Sequence, residues 1–303
     1  MRLGLRKWRS YDTRMDSHAF PIHQALAARY GDAEVRWLAH SSEFDVALQV
    51  PLGEIALKFG PRPSGTRCPE AWLVLPKVGA WAVLARVGDL GPNPSAPAAL
   101  GFQFLILTTA DYAATGADAF RLVQNASACW ERRGTLPQLT GQPASRLRTI
   151  EEVTGALQRE DGPLLLGATQ ALLDGSCIAL QRDQPANDLF PALWMLLPYR
   201  NRVQFSVATF VFSNDLGLTI LATPPQARID YDYRYLSAAQ AEYYPEGRYE
   251  LNLQCAVESG DEPAMQRLFL RRTRADTLRM ALWLLAGMLS ATLVLALIKI
   301  IRP

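Results

Sequence analysis

The chain has 303 residues, 49% of them hydrophobic and 20% charged, with a formal net charge of +2. This composition excludes an intrinsically disordered polymer, and the length suits one large or two small domains. Charge is uneven: residues 1–14 carry a net +4, residues 267–303 a net +6, and the body about −8, so the broad basic face that nucleic acid requires is not expected.

Residues 1–19 form a basic arm, "MRLGLRKWRSYDTRMDSHA", which lacks the apolar stretch of a secretory signal. Residues 20–131 read as a strand-rich domain. "EVRWLAH", "FDVALQVPLGEIALKFG", "EAWLVLPKVGAWAVLARVG" and "GFQFLILTT" are apolar and aromatic runs between turn signals. "LGPNPSAPAALG" is a proline-rich loop. In "ADAFRLVQNASACWERR", Phe120, Val123 and Trp130 recur at helical spacing.

Residues 132–149 are rich in Gly, Pro and Ser without an apolar period, and read as a linker. Residues 150–261 read as a mixed α/β domain. "TIEEVTGALQRE" opens with a Thr cap and an acidic first turn. "GPLLLGATQALLDG" and "NDLFPALWMLLPYR" are helical in character, while "RVQFSVATFVFS" and "LGLTILATP" read as a hairpin joined by "NDLG". Six tyrosines crowd residues 231–249; they supply either an aromatic recognition surface or the packed edge of the domain.

Chemistry is sparse along this length. Cys68, Cys129, Cys177 and Cys255 are too far apart for a zinc motif or a disulfide framework. "GPRPSGTR" at 60–67 has phosphate-loop glycines but no lysine, and its prolines remove backbone donors. His40 stands beside Ser41, yet neighbours on a strand face opposite ways. Asp230 and Asp232 could share a strand face as an acid/base or cation-binding pair, or simply mark a solvated edge. Glu151 and Glu152, like Asp261 and Glu262, suit helix N-termini. Arg200 and Arg202, between an apolar helix and an apolar strand, either neutralise the helix end or grip a partner's anionic group. No catalytic residue, cofactor or metal ligand is assigned on these patterns, and an enzyme is disfavoured.

The end of the chain carries the strongest expectation. Met280 to Ile298 is uncharged and holds seven leucines, long enough to cross the hydrocarbon core of a bilayer as a helix. Met280, Trp283, Leu284, Leu289, Leu295 and Ile298 would contact lipid. Arg271, Arg272, Arg274 and Arg279 before the span, with Lys299 and Arg302 after it, would lie at the membrane surface, the arginine excess placing the body in the cytoplasm. A buried core helix is the competing reading. Asp261 and Pro263 suit a helix start, so one helix is expected to run unbroken from about residue 262, with 262–303 as the basic juxtamembrane helix and anchor.

"IHQALAARYGDAEVRWLAHSSEFD" followed by "AWAVLARVGDLGPNPSAPAALGFQFLILTTADY" resembles the N-terminal domain of bacterial GTPase-associated proteins, and "FPALWMLLPYRNRVQFSVATF" is similar to the start of their middle domain. The resemblance covers about residues 20–225 and implies an adaptor that accompanies a GTPase in a conflict system. It departs from the family at Ala96, Pro97, Ala98 and Ala99, where the family tends to carry polar residues. The family's C-terminal module is replaced by the apolar tail.

The expected fold is therefore α+β, a strand-rich domain and a mixed α/β domain followed by one transmembrane helix. The expected function is a tail-anchored, non-enzymatic adaptor holding a cytoplasmic protein partner, with a GTPase as candidate, at the bilayer. The alternatives are a membrane-bound hydrolase-like enzyme around Asp230 and Asp232, and a sensor oligomerising through its tail.

Overall fold

The computed structural model describes residues 19–31, 34–90, 99–127, 130, 132–143, 147–227, 233–235, 247–271 and 274–301; within these, 233–235, 274–276 and 293–301 are described as backbone only. Two compact units emerge. One comprises Met1–Leu147, Cys177–Phe190 and Phe205–Tyr235, and the other Arg148–Ser176, Pro191–Gln204 and Leu236–Pro303. The α+β class holds, with a mixed sheet in the first unit and helices in the second.

The sheet unit grows from apolar runs broken by glycine turns. β1 (Phe20–Tyr30) and β2 (Glu34–Ser41) pair antiparallel. α1 (Gln49–Lys58) follows, and then β3 (Ala71–Val78) and β4 (Trp81–Asp89) close a hairpin at Gly79, whose φ of 62° a two-residue turn demands. β5 (Leu100–Thr108) pairs with both β4 and β1. Next come α2 (Thr109–Ala114), α3 (Ala119–Asn125), β6 (Gly134–Leu136) and β7 (Leu139–Gly141). β8 (Cys177–Gln181), β9 (Val207–Ala208), β10 (Ile220–Thr223) and β11 (Tyr233–Tyr235) complete it. The order across the sheet is β11-β8-β10-β9-β3-β4-β5-β1-β2-β6, and β7 pairs with β1.

The expected hairpin of 202–213 with 216–224 does not form. β9 has two residues and pairs parallel to β10. The apolar run does not pair as a hairpin because its backbone donors find other acceptors: Thr209 N–H bonds Trp72 O at 2.8 Å, and Phe212 N–H bonds Phe59 O at 3.0 Å.

The two faces of this sheet differ in chemistry. Directly opposed residues share a face, so Trp72, Arg86, Gln103 and Leu26 line up across β3, β4, β5 and β1. This face is covered by α3, with Phe120 against Trp72 and the Arg86 guanidinium donating to Val123 O at 2.9 Å. The other face is aromatic. Phe102 meets Phe59 edge-on at 5.5 Å, and Phe104 lies 6.1 Å from Trp37. There Arg29, 2% exposed, donates to Ala56 O and Gly60 O, each at 2.8 Å, satisfying carbonyls at the end of α1. Gly60 is required: its φ is 91°, and a Cβ would sit 2.7 Å from the Phe212 backbone.

The helical unit contains α4 (Ile150–Leu157), α5 (Gly162–Leu173), α6 (Leu189–Leu196, from Pro191 onward), α7 (Tyr199–Arg202), α8 (Arg248–Glu258), α9 (Glu262–Phe269) and α10 (Arg274–Ile301). α4 starts as its sequence dictates, with Thr149 and Glu152 forming a reciprocal capping box. Its core includes Leu165, Leu172, Leu193, Tyr249, Leu253, Met265 and Phe269.

Two expectations about the tail are corrected. The unbroken helix from residue 262 is two helices, because α9 ends at Phe269 with Leu270 as its C-cap, and α10 begins at Arg274. The transmembrane helix, and with it the anchored location and cytoplasmic body, is overturned: among the described residues no helix is long and apolar enough to cross a membrane. Gly287, Ser290 and Thr292 interrupt the run of large apolar side chains on α10.

Candidate binding surfaces

α10 presents large apolar side chains to solvent. Leu278, Met280, Leu282, Trp283, Leu284, Leu285, Met288 and Leu289 are all exposed, Trp283 the most at 71%. Leu278, Leu282, Leu285 and Leu289 are spaced four, three and four apart, which places them along one side of the helix. Ser290 and Thr292 return their hydroxyls to the helix backbone, onto Ala286 O and Leu289 O at 2.8 Å each. They therefore offer little polar relief to that surface. Arg271 and Arg279 are exposed at its start.

The remaining tail residues singled out by sequence divide by what is described. Met280, Trp283, Leu284 and Leu289 are exposed on α10, whereas Leu295, Ile298, Arg274 and Lys299 belong to α10 as backbone only. Arg272 and Arg302 lie outside the described residues, as do Asp230 and Asp232.

Arg200 and Arg202 share the single turn of α7 but not an environment. Arg200 is exposed and Arg202 is 5% exposed. Arg202 belongs instead with the buried interior around Tyr249, whose hydroxyl donates to Leu196 O at 2.7 Å. Burial raises the Tyr249 pKa well above the usual phenol value, even though Arg148, Arg271 and Arg202 each pull it down. Arg148 stacks 4.4 Å from the Phe269 ring and donates to Leu197 O at 3.1 Å. These arginines brace the helical core.

The His40–Ser41 pair is likewise structural. Ser41 Oγ accepts the Gln24 N–H at 3.1 Å on its own strand pair, and the His40 ring packs 5.4 Å from Phe44. Cys68 is buried, and burial, reinforced by Asp89, raises its pKa far above a reactive thiol's. Among the described residues no group of three His, Cys, Asp or Glu side chains could hold a metal ion.

The sheet unit also holds a cleft that the sequence did not disclose. About 490 Å³ in volume, it opens over Ile22 of β1 and Leu105 of β5, between α3 and the β7 segment. Asp118, Arg121 and Asn125 line one wall, Thr140 and Gln142 the other. Asp118 caps α3, accepting the Arg121 N–H at 3.4 Å. The turn before it is strained: Gly116 has φ 72° and Ala117, fully buried, has φ 52°. Four separate segments build this cleft, so no local motif could announce it.

No protein-family model matches the chain, and neither a curated protein nor a solved structure matches it.

Proposed function

We propose that this chain is a binding protein rather than an enzyme, and that it works by holding a protein partner along α10. The single observation behind this reading is the exposure of eight large apolar side chains on that helix. Monomeric proteins rarely leave contiguous apolar patches of more than a few hundred Å² uncovered. The spacing of Leu278, Leu282, Leu285 and Leu289 matches the anchors by which a helix enters an apolar groove or pairs with another helix. The exposed Arg271 and Arg279 favour a partner that is acidic beside that groove. The resemblance to GTPase-associated proteins makes a GTPase the first partner to try.

The test is photo-crosslinking in cells that make the full chain. A benzoyl-phenylalanine replaces Leu285 on α10, or Val50 on α1, which is exposed on a different helix. The expected result is a discrete adduct with another protein from position 285, absent from position 50 and lost when Leu282 and Leu289 are both changed to Asp. Adducts with lipid alone, adducts only between copies of the chain, or no adduct would overturn the reading.

A further inference from the structure

We propose that the cleft beside α3 binds a small zwitterion with an apolar body, of the chemical class of an aliphatic amino acid or a dipeptide. The volume, about 490 Å³, lies in the range of small-molecule sites. Its lining is mixed, an apolar floor between polar walls. Ile22 and Leu105 supply the floor.

The walls select for charge of both signs. Asp118 caps α3 and Arg121 stands in its first turn, and both line the cleft. Neither is consumed by the other. Asp118 spends one oxygen on the Arg121 backbone N–H, and among the described residues the Arg121 side chain makes no hydrogen bond or ion pair. A ligand ammonium placed at Asp118 and a ligand carboxylate placed at Arg121 would satisfy both, the second by the bidentate geometry that guanidinium favours. Asn125 and Gln142 flank the pair with amide donors and acceptors, suited to a peptide group.

Two further observations bear on this cleft. Ala117, fully buried at φ 52°, holds a conformation that disfavours side chains by about 1–2 kcal/mol, and it does so immediately before Asp118. The turn thereby sets where the carboxylate leaves the chain. Two residues along β1 and β5 from Ile22 and Leu105, the same sheet face carries buried Gln24 and Gln103, hydrogen-bonded to each other at 3.2 Å. Gln103 Oε1 is buried with no donor among the described residues. Gln24 also donates to Pro137 O at 2.6 Å and Gln103 to Ser127 O at 3.0 Å, so both amides are fixed beside the cleft floor.

Isothermal titration of the full chain with L-leucine, leucyl-leucine and N-acetyl-leucinamide tests the assignment. A zwitterion is expected to bind saturably and the uncharged amide not at all. Asp118→Asn, which keeps the helix cap, and Arg121→Gln, at an exposed position, are each expected to weaken binding at least about tenfold, with the melting temperature unchanged within about 2 °C. Tighter binding of leucine or of the dipeptide identifies which source the site takes, and either result supports it. Equal binding of the amide, indifference to both substitutions, or no saturable binding of either zwitterion below about 10 mM overturns it. None of these outcomes touches the α10 reading, because the cleft and that helix belong to different units.

Discussion

Helices α9 and α10 follow one another in the same unit, yet they resolve the same problem in opposite ways. α9 is amphipathic, turning Met265 and Phe269 into the core while Glu262, Pro263 and Arg267 face water. It is anchored at both ends: Asp261 accepts the Ala264 N–H at 2.9 Å, and Gln266 donates to Arg148 O at 2.5 Å. α10 has no such division. Its described side chains are exposed on every side, although most are Leu, Met or Ala. The difference teaches that hydrophobicity alone does not place a helix in a core. A helix needs a polar back as well as an apolar front, and one without a back is left for something else to cover.

Substitutions can break or sharpen this contrast. The largest effect belongs to Phe269→Ala, which empties a site 2% exposed beneath Arg148; it is expected to cost about 3–5 kcal/mol in urea unfolding. A loss below about 1 kcal/mol there would mean that α9 is not part of the core.

Next comes the alkaline behaviour of Tyr249. Its pKa is raised above the ordinary 10.0 by burial. Below about pH 10 the phenol is neutral in both states and the stability is fully present. As pH rises past 10 the unfolded chain ionises first, so stability falls toward the higher folded-state pKa, by up to about 1.4 kcal/mol per pH unit. Tyr249→Phe is expected to flatten that fall between pH 10 and 11. At neutral pH it costs about 1–2 kcal/mol, for the bond to Leu196 O that it loses. Parallel slopes for the two proteins would show that the ring is reached by water.

Asp261→Ala removes the α9 cap and is expected to lower stability by about 1 kcal/mol. Smallest of all is Leu285→Ala on α10. The side chain is 57% exposed, and Ala is as good a helix former, so unfolding free energy should stay within about 0.5 kcal/mol. A larger loss would mean that α10 packs on its own chain.

Local chemistry was legible in the sequence where it acts over one turn. Thr149 with Glu152, and Asp261 with Pro263, declare helix starts, and the structure makes both caps. The runs at 71–89 and 100–108 declare strands because alternating turns and β-formers bound them. One local reading failed, since the run at 44–60, expected as a strand, folds as α1 with Leu52, Ile55 and Ala56 buried at helical spacing; the other failures were longer in range. The run at 202–213 is as apolar as a strand, but Phe212 bonds Phe59, about 150 residues earlier, and no local pattern encodes that acceptor. The leucine content after Met280 pointed to a bilayer, while the pause at Leu270 and the small polar residues inside the run carried too little weight. The cleft could not be read at all, since Asp118, Thr140 and Ile22 meet only when the sheet has formed.

Hydrogen exchange on the full chain, purified alone and with the protein trapped through position 285, tests the central claim most directly. The account predicts that amides of residues 277–292 exchange quickly alone and slow by at least about tenfold in the complex, while those of α9 change little. Unchanged exchange along 277–292, with protection gained elsewhere on the chain, would contradict it.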